Sequence, residues 1–259
     1  MKRIIATILL LLTVAPYVAV GTDAQTAHFT SASSQYASIS DASAPNLSIT
    51  GAITVEFKFR NTTLKDYDII GKWTASGGQR SYLFTVACAS VNQIQAAFDQ
   101  TGAGSTQASS NHTYTCDTGV WHYAAVSFNG TNSIKTYLDG TLVSSATTGS
   151  VTAIFNSSAE FDISSRNAGT GDYMNGDISE VAIWNVERTE AQIASDKCGL
   201  VGNESNLVAY YQFEGNLNDT TSNAYNLTDH NTITFTSDVP TFCVAAASKT
   251  DDSGWWEIL

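Results

Sequence analysis

The chain has 259 residues and a formal net charge of −12, with 14% charged and 43% hydrophobic residues. Such acidity without any basic cluster argues against a nucleic-acid binder or a ligand of anionic membranes. The low charge density and the abundance of Ser and Thr argue against a coiled coil and fit an exported β-protein.

In chain order, Met1-Lys2-Arg3 and the apolar run from Ile4 to Val14 have the layout of a signal peptide, assigned to residues 1–24. Cleavage after Gly21 or after Ala24 would begin the mature chain between Thr22 and Gln25. An uncleaved anchor is the competing reading, but Ile4 to Val20 is at the short end for spanning a bilayer. No later stretch is apolar enough to span, so the expectation is a secreted or cell-surface protein with no membrane span after signal removal.

Residues 25–245 read as one β-domain. Ile53, Val55, Phe57 and Phe59 alternate with Thr54, Glu56, Lys58 and Arg60, the period of a strand with one buried and one wet face. Asp68 to Trp73 reads as a short strand, and Tyr82–Ala89 with Gln93–Asp99 as a hairpin. Gly102 to Ser110 is small and polar and reads as a mobile loop. Asp139-Gly140 between two apolar-polar runs is a hairpin signal. One short helix is predicted near 189–197, with Thr189 and Gln192 as a capping box and Gly199 as its stop. Leu207, Ala209, Tyr211 and Phe213 resume the strand alternation. Residues 246–259 have no strand period and end in the apolar Trp255-Trp256-Glu257-Ile258-Leu259, a tail that offers a route to self-association.

The four cysteines Cys88, Cys116, Cys198 and Cys243 are an even number in an apparently exported chain, so disulfides are the default. Of the three possible connectivities, Cys88 with Cys116 and Cys198 with Cys243 is favoured. None has the spacing of a zinc site.

Trp121 to Gly130, Ile134 to Thr141, Asn175 to Asn185, Tyr210 to Phe213 and Asp219 to Asn223 together resemble a laminin-G-like domain of the concanavalin A-like lectin/glucanase superfamily. The likeness extends over residues 27–243. It implies an all-β, two-sheet antiparallel sandwich of jelly-roll type, with Trp121 and the strand after it in the core. It also implies recognition of a carbohydrate or extracellular protein ligand, as in lectins and adhesion modules.

A sugar site needs an aromatic face and a few planar polar groups. Trp73, Arg80, Tyr82, Asn167, Asp172 and Tyr173 lie in or beside predicted loops and supply those types. Pentraxins, which share the sandwich, hold paired calcium ions on a loop that here contains only Asn167 and Asp172 as oxygen ligands. One calcium is the only cofactor suggested: Asn218, Asp219, Ser222, Asn223 and Asp229 offer oxygens, with Asp219 and Asn223 the named candidates. The competing reading is an Asn/Asp turn bonded to its own backbone, and it is the favoured one.

The glucanase branch carries three acids as E-x-D-x-x-E. Glu160 and Asp162 begin that pattern, and Ser165 replaces the third acid. Catalysis is therefore not expected, because a retaining glycosidase needs two carboxyl groups flanking the scissile bond. A non-catalytic binding module is the favoured function, with a structural subunit of an extracellular assembly or, less favoured, a glycoside hydrolase as alternatives. Eight N-x-S/T sequons, at Asn46, Asn61, Asn111, Asn129, Asn156, Asn203, Asn218 and Asn226, offer glycan attachment in a host equipped for it.

Overall fold

The computed structural model describes residues 24–242. The expected signal segment up to residue 23, the Cys243 end of the second disulfide and the tail 246–259 lie outside them. Among the described residues the strands are β1 (Thr26–Phe29), β2 (Tyr36–Ile39), β3 (Ile53–Asn61), β4 (Asp66–Thr74), β5 (Gln79–Ala87), β6 (Gln93–Asp99), β7 (Gln107–Thr113), β8 (Trp121–Phe128), β9 (Ser133–Leu138), β10 (Thr141–Thr147), β11 (Phe161–Ile163), β12 (Gly176–Trp184), β13 (Leu207–Tyr211), β14 (Thr228–His230) and β15 (Thr234–Thr236). The α-helix α1 is Glu190–Asp196.

The strands form two antiparallel sheets. Sheet A runs β10-β9-β8-β3-β12-β1-β15, with β13 also paired to β12; sheet B runs β14-β2-β11-β4-β5-β6-β7. The inner faces meet in one core that includes Phe29, Phe57, Phe84, Phe98, Phe128 and Tyr211. Each fully buried side chain of that size contributes about 1.5 to 3 kcal/mol through apolar burial. The expected two-sheet antiparallel sandwich of jelly-roll type is what the structure shows.

Local chemistry explains the sharp features. Asp139 and Gly140 both take positive φ, 53° and 88°, as a two-residue hairpin between β9 and β10 requires. The Thr189 hydroxyl accepts from Gln192 N while the Gln192 side chain accepts from Thr189 N, so the capping box forms. Cys88 and Cys116 are joined, and Cys198 is also disulfide-bonded. No helix among the described residues is long and apolar enough to cross a membrane.

Three expectations need correction. The expected wet face of β3 is covered: Thr54, Glu56 and Lys58 are 0%, 2% and 3% exposed. There α1 and the segments flanking it pack over sheet A, Tyr123 donates to Glu56 Oε2 at 2.8 Å, and Lys58 Nζ lies 2.8 Å from Glu180 Oε2. Residues 107–110, read as loop, open strand β7, whose polar composition hides it because Ala108 is its only apolar inward residue. Trp121 is not in the core; it is half-buried beneath Arg60, whose guanidinium carbon lies 5.1 Å from the ring centroid, and Trp184 is the fully buried tryptophan.

Candidate functional site

Since α1 and the segments around it close much of the outside of sheet A, the outer face of sheet B is the place to look for a site. The registers of β4 to β7 align Asp68, Thr85, Gln95 and Asn111 in one polar row across four strands. The neighbouring row is Gly71, Leu83, Ala97 and Ser109. Leu83 and the small Ala97 and Ser109 of this row floor a trough. A Cβ on Gly71 would stand 2.8 Å from Leu83 Cδ1, so a larger residue there would push the Leu83 side chain aside. The trough has a volume of about 480 Å³ and is lined also by Asp66, Arg166 and Asp172.

A second pocket of about 440 Å³ continues from it across Arg166, lined by Trp73, Ala75, Arg80, Ala103, Gly104, Gln107 and Asn167. The bridging loop, residues 164–175, is fixed from several sides. Arg166 Nε stands 3.0 Å from Asp68 Oδ2 as a charge contact at an angle that makes no hydrogen bond, and its Nη2 is 2.5 Å from Asp172 Oδ2. Asn167 N donates to Trp73 O, and Asn167 Oδ1 accepts from Ala75 N. Ala168 N donates to Asp162 Oδ2 at 3.2 Å.

The structure therefore brings Trp73, Arg80 and Asn167 into one pocket and puts Asp172 in the adjoining trough. It does not bring Tyr82 there. Tyr82 is fully buried, shares the inward face of β5 with Phe84 and Val86, and donates its hydroxyl to Leu47 O at 2.9 Å. That placement corrects the surface position expected of it. Tyr173 is also outside the pockets; its ring tilts against Tyr36 at 6.2 Å and its hydroxyl donates to Gly169 O. Trp73 is only 6% exposed, so it offers the pocket an edge and not an open stacking face. Missed in the sequence were Arg166, Gly104 and Gln107, along with a separate cleft of about 520 Å³ at one end of the sandwich lined by Asn46, Asn185, Asn206 and Asn223.

A laminin-G-type family model of the concanavalin A-like lectin/glucanases superfamily matches residues 31–194. The chain belongs to that superfamily. Two solved structures share its fold. One is a carbohydrate-binding protein, provisionally so described, from Bacteroides ovatus, with a TM-score of 0.64 and 18% identity over 83% of this chain. This chain spans only 60% of that protein. The other is a heptameric SAP-like pentraxin from Limulus polyphemus, with a TM-score of 0.61 and 12% identity, covering 88% of this chain and all of the pentraxin. At such identities the likeness shows the fold alone. No curated protein matches the sequence.

Two chemistries known in the superfamily can be tested against these residues. A calcium pair does not fit the 164–175 loop, because Asn167 Oδ1 is taken by a backbone N–H and Asp172 is paired with Arg166. Asp219 fits a cation no better. Its Oδ1 accepts from Tyr210 N and Thr221 N, and its Oδ2 from Tyr225 N and the Thr221 hydroxyl, all within 2.9–3.0 Å. Asn223 Nδ2 donates to Val208 O at 2.8 Å. The Thr221 bonds are those of an Asp turn and the bonds to Tyr210 and Val208 tie the segment to β13, so Asp219 and Asn223 hold structure where metal ligation was the alternative. Among the described residues no group of three or more His, Cys, Asp or Glu side chains is arranged to hold a metal.

Nor does the glucanase acid set form. Burial, and then the charge of Glu160, raise the Asp162 pKa, and Asp162 Oδ2 is bonded to Ala168 N, so this carboxyl is buried in the sheet and not presented to a substrate. Ser165 is fully buried and donates its hydroxyl inward to Gly171 O at 3.1 Å.

Burial pushes Asp68 up to about 6, against the opposing Thr85 hydrogen bond and the Arg166 charge. The folded state then holds this proton more tightly than the unfolded chain, so the contribution is present at acid pH and lost as pH rises through about 6. At about 1.4 kcal/mol per tenfold change in proton affinity, the ceiling is on the order of 3 kcal/mol. Urea unfolding of wild type and Asp68→Asn from pH 4 to 7 should show the variant gaining stability relative to wild type as pH rises. A constant difference would mean that Asp68 ionises normally.

Proposed function

We propose that the protein is an exported, non-catalytic module that binds a glycan in the trough and pocket on the outer face of sheet B. The observation that carries this reading is the convergence of Trp73 from β4, Arg80 from β5, Gln107 from β7 and Asn167 from the bridging loop around one cavity. Those four, with the polar row Asp68, Thr85, Gln95 and Asn111, give an elongated surface of planar amides, hydroxyls and charges with an apolar floor. Sugars are recognised by that combination, hydroxyls by the polar groups and C–H faces by the apolar ones. Export is supported by the Met1–Val14 pattern and by a disulfide that persists in oxidising compartments. The likeness to a Bacteroides protein described as carbohydrate-binding is consistent with this reading.

The test is a glycan array with the intact protein, with and without calcium, followed by titration of the best ligand. Gln107→Trp and Ser109→Trp fill the cavity from exposed positions on β7 without touching the core. Each should weaken binding at least tenfold, about 1.4 kcal/mol or more, at an unchanged unfolding midpoint. Trp73→Ala should weaken binding by about 1 to 3 kcal/mol, as an anchor residue does, and its burial means stability falls as well. Unchanged binding in both β7 variants would move the site to the asparagine-lined cleft at the end of the sandwich.

A further inference from the structure

The charges around the trough are not evenly spread. Its wider part is bordered by Asp66, Asp68 and Asp172 against the single cation Arg166. The adjoining pocket has only two charged lining residues, Arg80 and Arg166, and no carboxylate. That is a cationic pocket in a chain of net charge −12.

The two arginines are not equivalent. Arg166 is already held by Asp68 and Asp172. Arg60 and Arg188 likewise hold Asp177 and Asp196. Arg80 alone of the described arginines has no carboxylate and no side-chain hydrogen bond with any described residue. It is half-buried, with its guanidinium lying over Gly104. Gly104 has φ of +82°, and a Cβ there would stand 2.8 Å from Arg80 Nη1, so the glycine keeps the place open for the guanidinium. A planar fork of donors held in a cavity beside the amides of Gln107 and Asn167 is suited to a planar or tetrahedral oxyanion.

Resting on the glycan-binding reading above, we propose that the Trp73–Arg80–Gln107 pocket receives the anionic group of an acidic glycan, a sugar carboxylate or sulfate ester. The charge distribution also orients the chain. The acidic residue sits at Arg80, and uncharged, hydroxyl-bearing residues extend over the Asp68–Asn111 row, where a second anion would meet carboxylates.

Calorimetric titration of the full chain with two matched pairs tests this: a neutral oligosaccharide ending in a single uronic acid against its methyl ester, and a singly sulfated oligosaccharide against its unsulfated parent. The charged member of at least one pair should bind at least tenfold more tightly at low salt, with the preference shrinking as ionic strength rises. Arg80→Gln should reduce the preference to within about twofold and Arg80→Lys should keep part of it, as expected when a point charge replaces a fork. Equal binding of charged and neutral members, a preference that survives Arg80→Gln, or binding of neither charged probe would overturn the proposal. A poly-glutamate peptide binding as tightly as the charged glycans would overturn its sugar component. The Gln107→Trp and Ser109→Trp variants separate the two readings. Neutral-glycan binding that they abolish, without any charge preference, retains the trough and rejects the anion pocket, whereas a charge preference that they leave intact rejects both.

Discussion

Arg188→Ala is expected to destabilise the protein by about 3 to 5 kcal/mol, the cost typical of removing one partner from a buried ion pair. The guanidinium lies between two carboxyls and an indole. Nε is 3.0 Å from Asp196 Oδ2 and 3.9 Å from Glu56 Oε1, and the guanidinium carbon sits 3.9 Å from the Trp184 ring centroid. Glu56 is 2% exposed, and burial, then the charge of Asp196, raise its pKa well above the usual carboxylate range. Without Arg188 the two carboxyls face each other uncompensated, and they can relieve the cost only by taking up protons. The loss should therefore be largest near pH 8 and smaller near pH 5, where protonation is easier. Denaturant unfolding of both proteins at the two pH values checks this, and a loss under about 1 kcal/mol at pH 8 would show that the network is solvated. Because this cluster lies under α1 on sheet A, glycan affinity of the folded variant should stay at the wild-type value.

The same cluster shows where the sequence stops being legible. Strand β3 displays its alternation plainly, and Ile53, Val55, Phe57 and Phe59 are all in the core. Its other face, written in Thr54, Glu56 and Lys58, looks wet, because the residues that cover it arrive from about 130 positions later, where Thr54 donates to Val186 O at 2.8 Å. Local pattern cannot report a cover that distant. Tyr82 is the reverse case: its two-residue spacing to Phe84 and Val86 carries the inward signal, and its nearness to a turn masked it. The site was half legible. Trp73, Arg80 and Asn167 stand out as binding chemistry beside turns. Gln107 and Gly104 sit in a stretch with no apolar period, and Leu83, Ala97 and Ser109 become a trough floor only when the registers of β5, β6 and β7 align them.

The second large effect concerns the end of that trough. Cys88→Ala/Cys116→Ala should cost about 3 to 4 kcal/mol if the bond acts mainly by restricting the unfolded chain, given the sequence separation of 28 it closes. The bond is also built into a buried polar cluster. Asn61, fully buried, donates to Tyr114 OH at 3.4 Å and to Asp117 O at 3.1 Å, accepts from Tyr67 OH, and lies 3.8 Å from Cys88 Sγ. That commitment places the Asn61 sequon out of reach of glycan attachment in the folded protein. Directly after Cys88, Ala89 N and Ser90 N donate to Asp66 Oδ1, and Asp66, Tyr67, Ala87 and Ser90 border the trough. Loss of the disulfide therefore releases one wall of the trough as well as the unfolded chain. Denaturant unfolding of the double variant should give the full loss. Titration of its folded fraction should weaken binding of a long glycan that spans the trough, while a monosaccharide acid seated at Arg80, at the opposite end, binds as to wild type. Equal weakening of both ligands would mean that the wall and the Arg80 pocket move as one unit and that the trough has no separable ends.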